Sequence, residues 1–510
     1  MKEKICDIKK RIFNLVTFFM ISIYPFLVVK TDYYSDLPNY PWYFGQSHQL
    51  DYFIQFRSWI IIAIGMLLLC LIIHDIKKNM SFILFLYIFY AFAILCAFLV
   101  AENKRVAVIG GIEQHESIFV LWAYLIISVY YGFNHEQLIN YTKTITFYVQ
   151  IFILTNFLLF LAIVQKKEVY LTMYNPDYAS LYLLMLLVVW FILLNYSKNR
   201  KNLCCGIIGT FETCLSIILT GCITNMVLMI LLLLIVFIRK VLKDRGSLNI
   251  KIIYGLASLF LIFQCTIFVV GFTDNLCNRK VVRDYINTCS DSVEVCLNGK
   301  INRFITGKET NHNLNYKRAA RLIDSKYIEG FTIDSPYEEM FFTYDEGINS
   351  YVYINSYEKA IVLKPADRCF FKTNDDFLGR GYIWSIAIHL VKKYGLLGCG
   401  PDNFTYVFPH NNYMGELQAG YLYSLITKPH SLFLQILIQT GIVSLLVFWL
   451  LNCIAIKKAI CYMEESNIEA FWIVVAIIIY LISGIMNDSC VVTAPYYWMM
   501  LGMMTNYKYK

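Results

Sequence analysis

Long apolar runs constrain this chain more than any other feature of its sequence. Stretches of about 17 to 25 mostly apolar residues, the length that an α-helix needs to cross a bilayer, recur from one end of the 510 residues to the other. We predict about twelve transmembrane helices from these runs. They cover Ile12–Val29, Ser58–Ile76, Ser81–Ala101, Ser117–Gly132, Thr144–Val164, Tyr178–Tyr196, Leu203–Thr220, Ile223–Ile238, Ile250–Phe272, Ser431–Ile456, Ile468–Ile485 and Thr493–Asn506.

The composition and the charge pattern agree with a polytopic membrane protein. Hydrophobic residues make up 58% of the chain and charged residues only 16%, which excludes a soluble protein of several domains. The net charge of +8 does not indicate nucleic-acid binding, because basic residues cluster at the ends of alternate apolar runs. Such clusters include Lys77 with Lys78 and Arg239 with Lys240. The positive-inside rule therefore predicts a multi-pass protein of the inner (cytoplasmic) membrane with both termini in the cytoplasm.

One long polar segment interrupts the apolar runs. Residues 273–429 separate the ninth and tenth predicted helices and are too many for a passive connection. The predicted organisation is residues 1–272 with helices 1 to 9, residues 273–429 as one large extracytoplasmic loop domain, and residues 430–510 with helices 10 to 12. The fold class that follows is an all-α polytopic membrane protein with one large extracytoplasmic loop between helices 9 and 10.

Two parts of the long segment carry a pattern of their own. The sequence NYKRAARLIDSKYIEGF predicts a short helix, with Arg318 and Arg321 three residues apart on one flank, where they could contact phosphate or only solvent. Repeated aromatic residues between Phe341 and Tyr357 predict either alternating strands or a wall that faces sugar.

The stretch from residue 379 to residue 441 has the residue types of an anion site. Arg380 and Trp384 are one helical turn apart and so share a face. Gly398 and Gly400 predict a tight turn, and His430 stands where a polar segment re-enters the membrane. A fixed cation, a glycine turn and a titratable imidazole at a membrane boundary favour a site for an anionic substrate carried on a lipid.

This stretch resembles the O-antigen ligase and polymerase superfamily, membrane enzymes that extend or transfer glycans carried on polyprenyl diphosphate. The family pattern has an Arg one turn before a Trp, a Gly-x-Gly-Pro-x-x-Phe turn, and a His that opens the next membrane helix with a Gly further along it. The matching residues are Arg380, Trp384, Gly398, Gly400, Pro401, Phe404, His430 and Gly441. The resemblance implies a glycosyltransferase with a GT-C-like arrangement of helices and loop that needs no cofactor.

Two further segments extend this resemblance or depart from it. Asn175, Pro176 and Asp177 occupy the place of an Asn-Pro-Asn element before a helix, although the same residues are also typical of a plain helix cap. Where family members often read Thr-Gly-Ser-Arg, this chain has Thr220 to Ile223 and no cation. The second positive charge for a diphosphate must then come from elsewhere, or the diphosphate is held differently.

We assign candidate roles from the chemistry of the residues together with this resemblance. Arg380 and His430 are the predicted catalytic residues, because a guanidinium grips a diphosphate and an imidazole can act as general base on an acceptor hydroxyl. The predicted substrate-binding residues are Trp384, Gly398, Gly400, Lys428, Arg318, Arg321 and His410. His410 is also the second choice for the catalytic imidazole, since it is followed by Asn411 as in many family members.

Several alternatives stay open at this level. Metal-dependent sugar transfer would call for an Asp-x-Asp on a loop, whereas Asp375 and Asp376 are adjacent, so we predict no metal site. A flippase or transporter of lipid-linked oligosaccharide is the rival outside enzymes, but few ionisable residues lie inside the predicted spans and no internal repeat is evident. Polymerase and ligase differ only in the acceptor, and the long loop favours a polymerase. The expected partners are a polyprenyl-diphosphate-linked oligosaccharide, the bilayer and, in polysaccharide assembly, a chain-length regulator, with no nucleic acid.

Overall fold

The computed structural model describes most of the chain. The described residues are 2–78, 81–197, 199–241, 248–249, 251–253, 255–256, 284–297, 300–305, 308–309, 314–323, 325–335, 338–367, 380–464 and 468–506. Most of the predicted ninth helix, Ile250–Phe272, and the boundary at residue 273 lie outside these ranges.

Helices dominate the structure, as the apolar runs predict. Ser81, Ser117, Thr144 and Asn175 each cap a helix with a side-chain oxygen that accepts a backbone N–H of the first turn. The helices are α1 (Lys2–Ser22), α2 (Gln55–Lys78), α3 (Phe82–Leu99), α4 (Lys104–Ile109), α5 (Ile118–Phe133), α6 (His135–Thr142), α7 (Ile145–Val164), α8 (Pro176–Tyr196), α9 (Arg200–Thr220), α10 (Ile223–Val241), α11 (Gly381–Tyr394), α12 (Phe404–Val407), α13 (Tyr413–Gln418), α14 (Leu432–Glu464), α15 (Ile468–Met486) and α16 (Ala494–Asn506).

The protein is a multi-pass membrane protein. Among the described residues, eight helices are long and apolar enough to cross a membrane, or nine if α5 and α6, which meet at a 75° bend, form one span. This count is lower than the predicted twelve, in part because the ninth predicted helix is mostly outside the described ranges and α16 has only 13 residues. Helices α8 and α15 form the centre of the bundle, with 78% and 89% of their apolar windows buried.

The prediction of an all-α protein is wrong for the long loop. Residues 284–367 form two antiparallel sheets, which we call the sheet domain, with strand orders β3-β4-β5-β6 and β11-β10-β9-β8-β7. A separate hairpin, β1 with β2, precedes α2. The strands are β1 (Thr31–Tyr34), β2 (His48–Asp51), β3 (Tyr285–Thr288), β4 (Val293–Leu297), β5 (Lys300–Ile305), β6 (Lys308–Glu309), β7 (Tyr316–Ile323), β8 (Lys326–Asp334), β9 (Glu339–Asp345), β10 (Ser350–Ile354) and β11 (Ala360–Ile361).

The predicted helix around Arg318 and Arg321 is also wrong, because these residues lie on β7. Strand β7 pairs antiparallel with β8, so that Arg318 lies opposite Phe331 and Arg321 opposite Ile328. Strand β8 already pairs with β9, and β7 extends this sheet by adding to the other edge of β8. This long-range pairing overrides the helix propensity of the alanines and arginines on β7. The aromatic residues between 341 and 357 do form the predicted strands, β9 and β10.

Helix α14 is broken at Gly441, and the predicted glycine turn fills the break. Gly441 has a φ of +83°, which interrupts the hydrogen-bond ladder and leaves carbonyls of Ile438 and Gln439 without helical partners. The N–H groups of Cys399 and Gly400 donate to these two carbonyls at 2.8 and 3.0 Å. Such cross-satisfaction is what permits non-helical backbone in a membrane protein.

Candidate active site

The first turn of α8 is the point at which the candidate residues converge. Asn175 caps the helix by accepting the N–H of Tyr178 at 3.0 Å, and Pro176 occupies the first helical position. The preceding loop is held by Arg57, a fully buried residue of α2 whose guanidinium donates to the carbonyl oxygens of Thr172 at 2.8 Å and Pro25 at 2.9 Å. The positive end of the helix dipole is therefore fixed in place.

Arg380 reaches this helix end through an ion pair. Its Nη2 donates to Asp177 Oδ2 at 3.1 Å, with the two side chains 16% and 32% exposed. The other carboxylate oxygen of Asp177 accepts the thiol of Cys222 at 2.9 Å. The pair leaves part of the guanidinium edge for another acceptor, because arginine carries five N–H donors.

Lys428 is a buried cation that packs against the same first turn of α8. Its side chain packs against the rings of Tyr174 and Tyr178, with the ammonium nitrogen 5.6 and 5.3 Å from their centroids, and it donates to the Tyr178 hydroxyl at 3.2 Å. In the described part of the chain, no carboxylate forms an ion pair with this ammonium group. A buried charge is costly unless it is paired, so this residue is suited to pair with an anion.

His430 follows two residues later and forms a pair with Asp488. The distance from His430 Nδ1 to Asp488 Oδ2 is 3.2 Å, and the imidazole is 32% exposed whereas the carboxylate is 1% exposed. Asp488 also accepts the N–H of Ser431 at 3.1 Å. The carboxylate orients the imidazole and leaves its other ring nitrogen, Nε2, available to a substrate.

Trp384 holds the backbone just before His430. Its indole N–H donates to the carbonyl of Pro429 at 3.0 Å, and the side chain is only 1% exposed. His430 itself adopts a left-handed φ of +51°, which is unusual for a residue with a side chain. Trp384 therefore contacts the backbone that carries His430, and its burial separates it from direct contact with a ligand.

The two glycines of the predicted turn also contact protein. A side chain at Gly398 would meet the carbonyl oxygen of Gln439 at 2.3 Å, and one at Gly400 would meet the Ala101 side chain at 2.4 Å. Both have positive φ values, +92° and +102°. The glycines allow the turn to enter the break in α14, which explains their spacing without a ligand.

The remaining predicted binding residues lie elsewhere. The side chain of Arg321 packs over Phe341 within the sheet domain, at 5.0 Å from the ring centroid, and Arg318 is exposed on the same edge strand. His410 is buried against Glu416 and stacks on Trp42. Among the described contacts, none joins these three residues to Arg380 or His430.

Sequence reasoning missed Asp488 and Arg57. Asp488 follows α15, which ends at Met486, in the segment Asn487-Asp488-Ser489. A charged residue so soon after a long apolar helix was the sequence feature that could have identified it. Arg57 directly precedes the predicted span Ser58–Ile76, a position where a charge usually faces water, whereas the structure buries it completely.

Comparison with known proteins gives a family match for about half of the chain. The family model described as O-antigen ligase matches residues 208–449, a range that includes Arg380, Trp384, the glycine turn, Lys428 and His430. No curated protein and no solved structure matches the chain significantly.

Proposed function

We propose that this chain, a member of the O-antigen ligase/polymerase superfamily by the match over residues 208–449, polymerises oligosaccharide repeat units carried on polyprenyl diphosphate. In this proposal the protein is a metal-independent membrane glycosyltransferase that acts on the extracytoplasmic side and builds a surface polysaccharide. The family match supports the general class, lipid-linked glycan transfer within a membrane. The geometry around α8 supports the specific chemistry.

One observation carries the proposal: two cations contact neighbouring side chains in the first turn of a buried helix. Arg380 pairs with Asp177, Lys428 packs on Tyr178, and these two partners are consecutive residues in the first turn of α8. Helix amino termini and clustered cations together are a recurring site for phosphate. Lys428 supplies the second positive charge that the segment Thr220 to Ile223 lacks.

The reaction that fits these groups is displacement at an anomeric carbon. The acceptor hydroxyl attacks that carbon while its proton moves to Nε2 of His430, whose Nδ1 is held by Asp488. The bond from the anomeric carbon to the diphosphate oxygen breaks, and its electron pair stays on the diphosphate. Arg380 and Lys428 stabilise that growing negative charge, so the leaving group needs no proton.

The sheet domain favours a polymerase over a ligase. In the described part of the chain it consists of two sheets built from nine strands. A folded domain of this size is suited to recognising a particular repeat unit, which a polymerase must do on both donor and acceptor.

The test is a reconstituted transfer assay with His430→Ala. Purified full chain in lipid vesicles is incubated with one probe, the lipid-linked repeat isolated from cells that carry the wild-type chain. We expect wild type to produce a ladder of products and His430→Ala to produce none, with equal expression and thermal stability. His48→Ala is a matched control, because His48 forms a similar pair with Asp32, 2.7 Å apart, but at an exposed site.

Other outcomes would reassign the activity. Modification of a second acceptor without a ladder would identify a ligase. Passage of the lipid-linked repeat across the vesicle membrane without any covalent product would identify a transporter and overturn the proposal. An unchanged ladder with His430→Ala would remove the imidazole from the mechanism.

A further inference from the structure

A cavity lined by aromatic and polar side chains lies around His410 and Glu416. It has a volume of about 230 Å³ and is lined by the segment before β2, by residues around Glu113, and by the segment between His410 and Leu425. Aromatic rings of Trp42, Phe44 and Tyr423 form part of its wall. The cavity is comparable in size to a single sugar ring, and it is smaller than the usual pocket for a drug-sized ligand.

Two buried polar groups in this cavity are incompletely hydrogen-bonded. His410 Nε2 and Glu416 Oε1 form no hydrogen bond of good geometry, although the side chains are only 3% and 6% exposed. The backbone of Thr405 and Ile426 also lies close to the imidazole. The distance from His410 Nδ1 to Glu416 Oε1 is 3.4 Å. An unsatisfied buried polar atom is costly, and in native structures it calls for a bound molecule or another explanation.

Burial favours the uncharged form of both groups. Burial lowers the pKa of His410 to about 3 and raises the pKa of Glu416 well above its ordinary value. A neutral imidazole and a protonated carboxyl group each offer a donor and an acceptor. That combination matches sugar hydroxyls, which also donate and accept.

The aromatic residues are held in place by packing. Trp42 stacks on His410 with ring centroids 4.3 Å apart and an interplanar angle of 24°. Phe44 contacts Tyr423 at 4.9 Å and Tyr357, which follows β10 of the sheet domain, at 5.0 Å. Rigid aromatic faces provide contact area at low entropic cost, and the apolar C–H face of a pyranose can stack on them.

Glu113 connects this cavity to the candidate active site. It lines the cavity, and its Oε2 accepts the hydroxyl of Thr427 at 2.8 Å. Thr427 immediately precedes Lys428, and Glu113 also bonds to Tyr174, whose ring packs on the Lys428 ammonium group. A sugar in the cavity would therefore be connected through Glu113 to the immediate surroundings of Lys428, the second cation of the proposed diphosphate site.

We propose that this cavity binds one uncharged pyranose ring of the lipid-linked glycan. The proposal rests on the proposed function, because it makes the cavity a sugar subsite of the same enzyme. Trp42 and Tyr423 stack on the ring, while His410, Glu416 and Gln49 hydrogen-bond its hydroxyls. The carboxylate of Glu113 disfavours acidic sugars at this position.

Saturation-transfer NMR with free sugars tests the cavity without requiring catalysis. The probes are glucose, galactose, mannose, rhamnose, N-acetylglucosamine and N-acetylgalactosamine, with glucuronic acid and N-acetylneuraminic acid as acidic counterparts. We expect the wild-type full chain to saturate at least one uncharged sugar and neither acidic one. Trp42→Ala weakens the binding about tenfold, the usual size of an aromatic hot-spot truncation.

Two other variants separate loss of the subsite from loss of folding. Ser424→Trp adds an indole at an exposed position of the cavity wall, which fills the cavity without removing any packing, so it should also abolish the signal. Trp59→Ala removes a tryptophan that is 49% exposed on α2 and should leave the signal unchanged. Thermal unfolding of each variant checks that the chain is folded.

The outcomes distinguish this proposal from the proposed function. Equal saturation in wild type, Trp42→Ala and Ser424→Trp, or no uncharged sugar bound by wild type, overturns the subsite. Arg380→Ala should bind the sugar normally while it transfers glycan about 10² to 10³ times more slowly than wild type. Sugar binding by a wild-type chain that makes no glycan product would instead refute the proposed function and leave the subsite standing.

Discussion

Charged side chains are mostly buried or half-buried and paired around α8 of the helix bundle, whereas the edge strand of the sheet domain carries exposed ones. Around α8 the charges are buried or half-buried and most have a fixed partner, as with Arg380 on Asp177 and His430 on Asp488. On the edge strand of the sheet domain, Arg318 is exposed. Burying a charge costs free energy that a membrane protein accepts mainly where it has a use. This difference agrees with the proposed function, in which the chemistry takes place around α8 and the sheet domain recognises the repeat unit.

The largest effect should come from removing the guanidinium at the helix end. Arg380→Ala should lower kcat by a factor of about 10² to 10³, the usual cost of losing one donor to developing charge. The transfer assay measures this, and Arg380→Lys should recover part of the rate because it restores charge without the planar fork. A rate within twofold of wild type, at equal protein stability, would show that the buried charges around α8 do not take part in the chemistry.

Loss of the second cation should have the next largest effect. Lys428→Met keeps the contact with the tyrosine rings but removes the charge, so kcat/KM for the lipid-linked donor should fall on the order of 10²-fold. Lys393→Met is the matched control, because Lys393 is 71% exposed. Equal values of kcat/KM for the two variants would show that the buried position of Lys428 does not contribute to catalysis.

Asp488 acts through His430, so its loss should cost less. Asp488→Asn keeps the size of the side chain but no longer holds the imidazole in one tautomer, and kcat should fall about tenfold to 10²-fold with KM nearly unchanged. Single-turnover kinetics would separate the two parameters. Asp32→Asn disrupts the exposed pair with His48 and should leave both parameters as in wild type. A rise in KM alone would indicate a role in binding.

The buried carboxyl group of Asp402 should make stability depend on pH. Its Oδ2 accepts the N–H groups of Gly111 and Glu116 at 2.8 and 2.7 Å, yet burial dominates and raises its pKa to about 8. A raised pKa in the folded state adds stability that is complete below the ordinary value of 3.8 and is lost as the pH rises to about 8.

We therefore expect the thermal midpoint of wild type to fall by a few degrees between pH 5 and pH 9, and Asp402→Asn to flatten that fall. Asparagine tolerates the left-handed backbone at this position, where φ is +56°. Glu346→Gln, at an exposed carboxyl group of the sheet domain, is the control and should retain the wild-type slope. A slope unchanged by Asp402→Asn would contradict the assignment.

The smallest effect is expected on the sheet domain. Arg318→Ala should change the rate of a single transfer step by less than about twofold, as for most surface substitutions. The assay is the same as for Arg380→Ala. A loss as large as that of Arg380→Ala would bring the edge strand β7 into the chemistry and would remove the division between the two regions.

The sequence predicted the bundle better than the sheet domain for a physical reason. A membrane helix satisfies its own hydrogen bonds, so a local apolar run is enough to identify it. Strand β7 has alanines and arginines that favour a helix locally, and only its pairing with β8 determines its conformation. The pairing is not visible in a window of a few residues.

The candidate site was predicted in part for a similar reason. Arg380, Lys428 and His430 lie in one recognisable stretch, and their types alone indicate an anion site. Asp177 and Asp488 reach them from distant segments, so their partnership with Arg380 and His430 exists only in three dimensions. The glycines were assigned to a ligand, whereas the structure uses them to complete α14.

The break at Gly441 also constrains how the protein is assembled. Each half of α14 carries backbone groups that lipid cannot satisfy, and their partners come from Gly395, Cys399 and Gly400, which precede the helix in the chain. Seating this helix in the bilayer and docking the preceding turn are consequently a single cooperative event. A chain in which that turn cannot form should stall during biogenesis and become a target for membrane proteases, well before any question of catalysis arises.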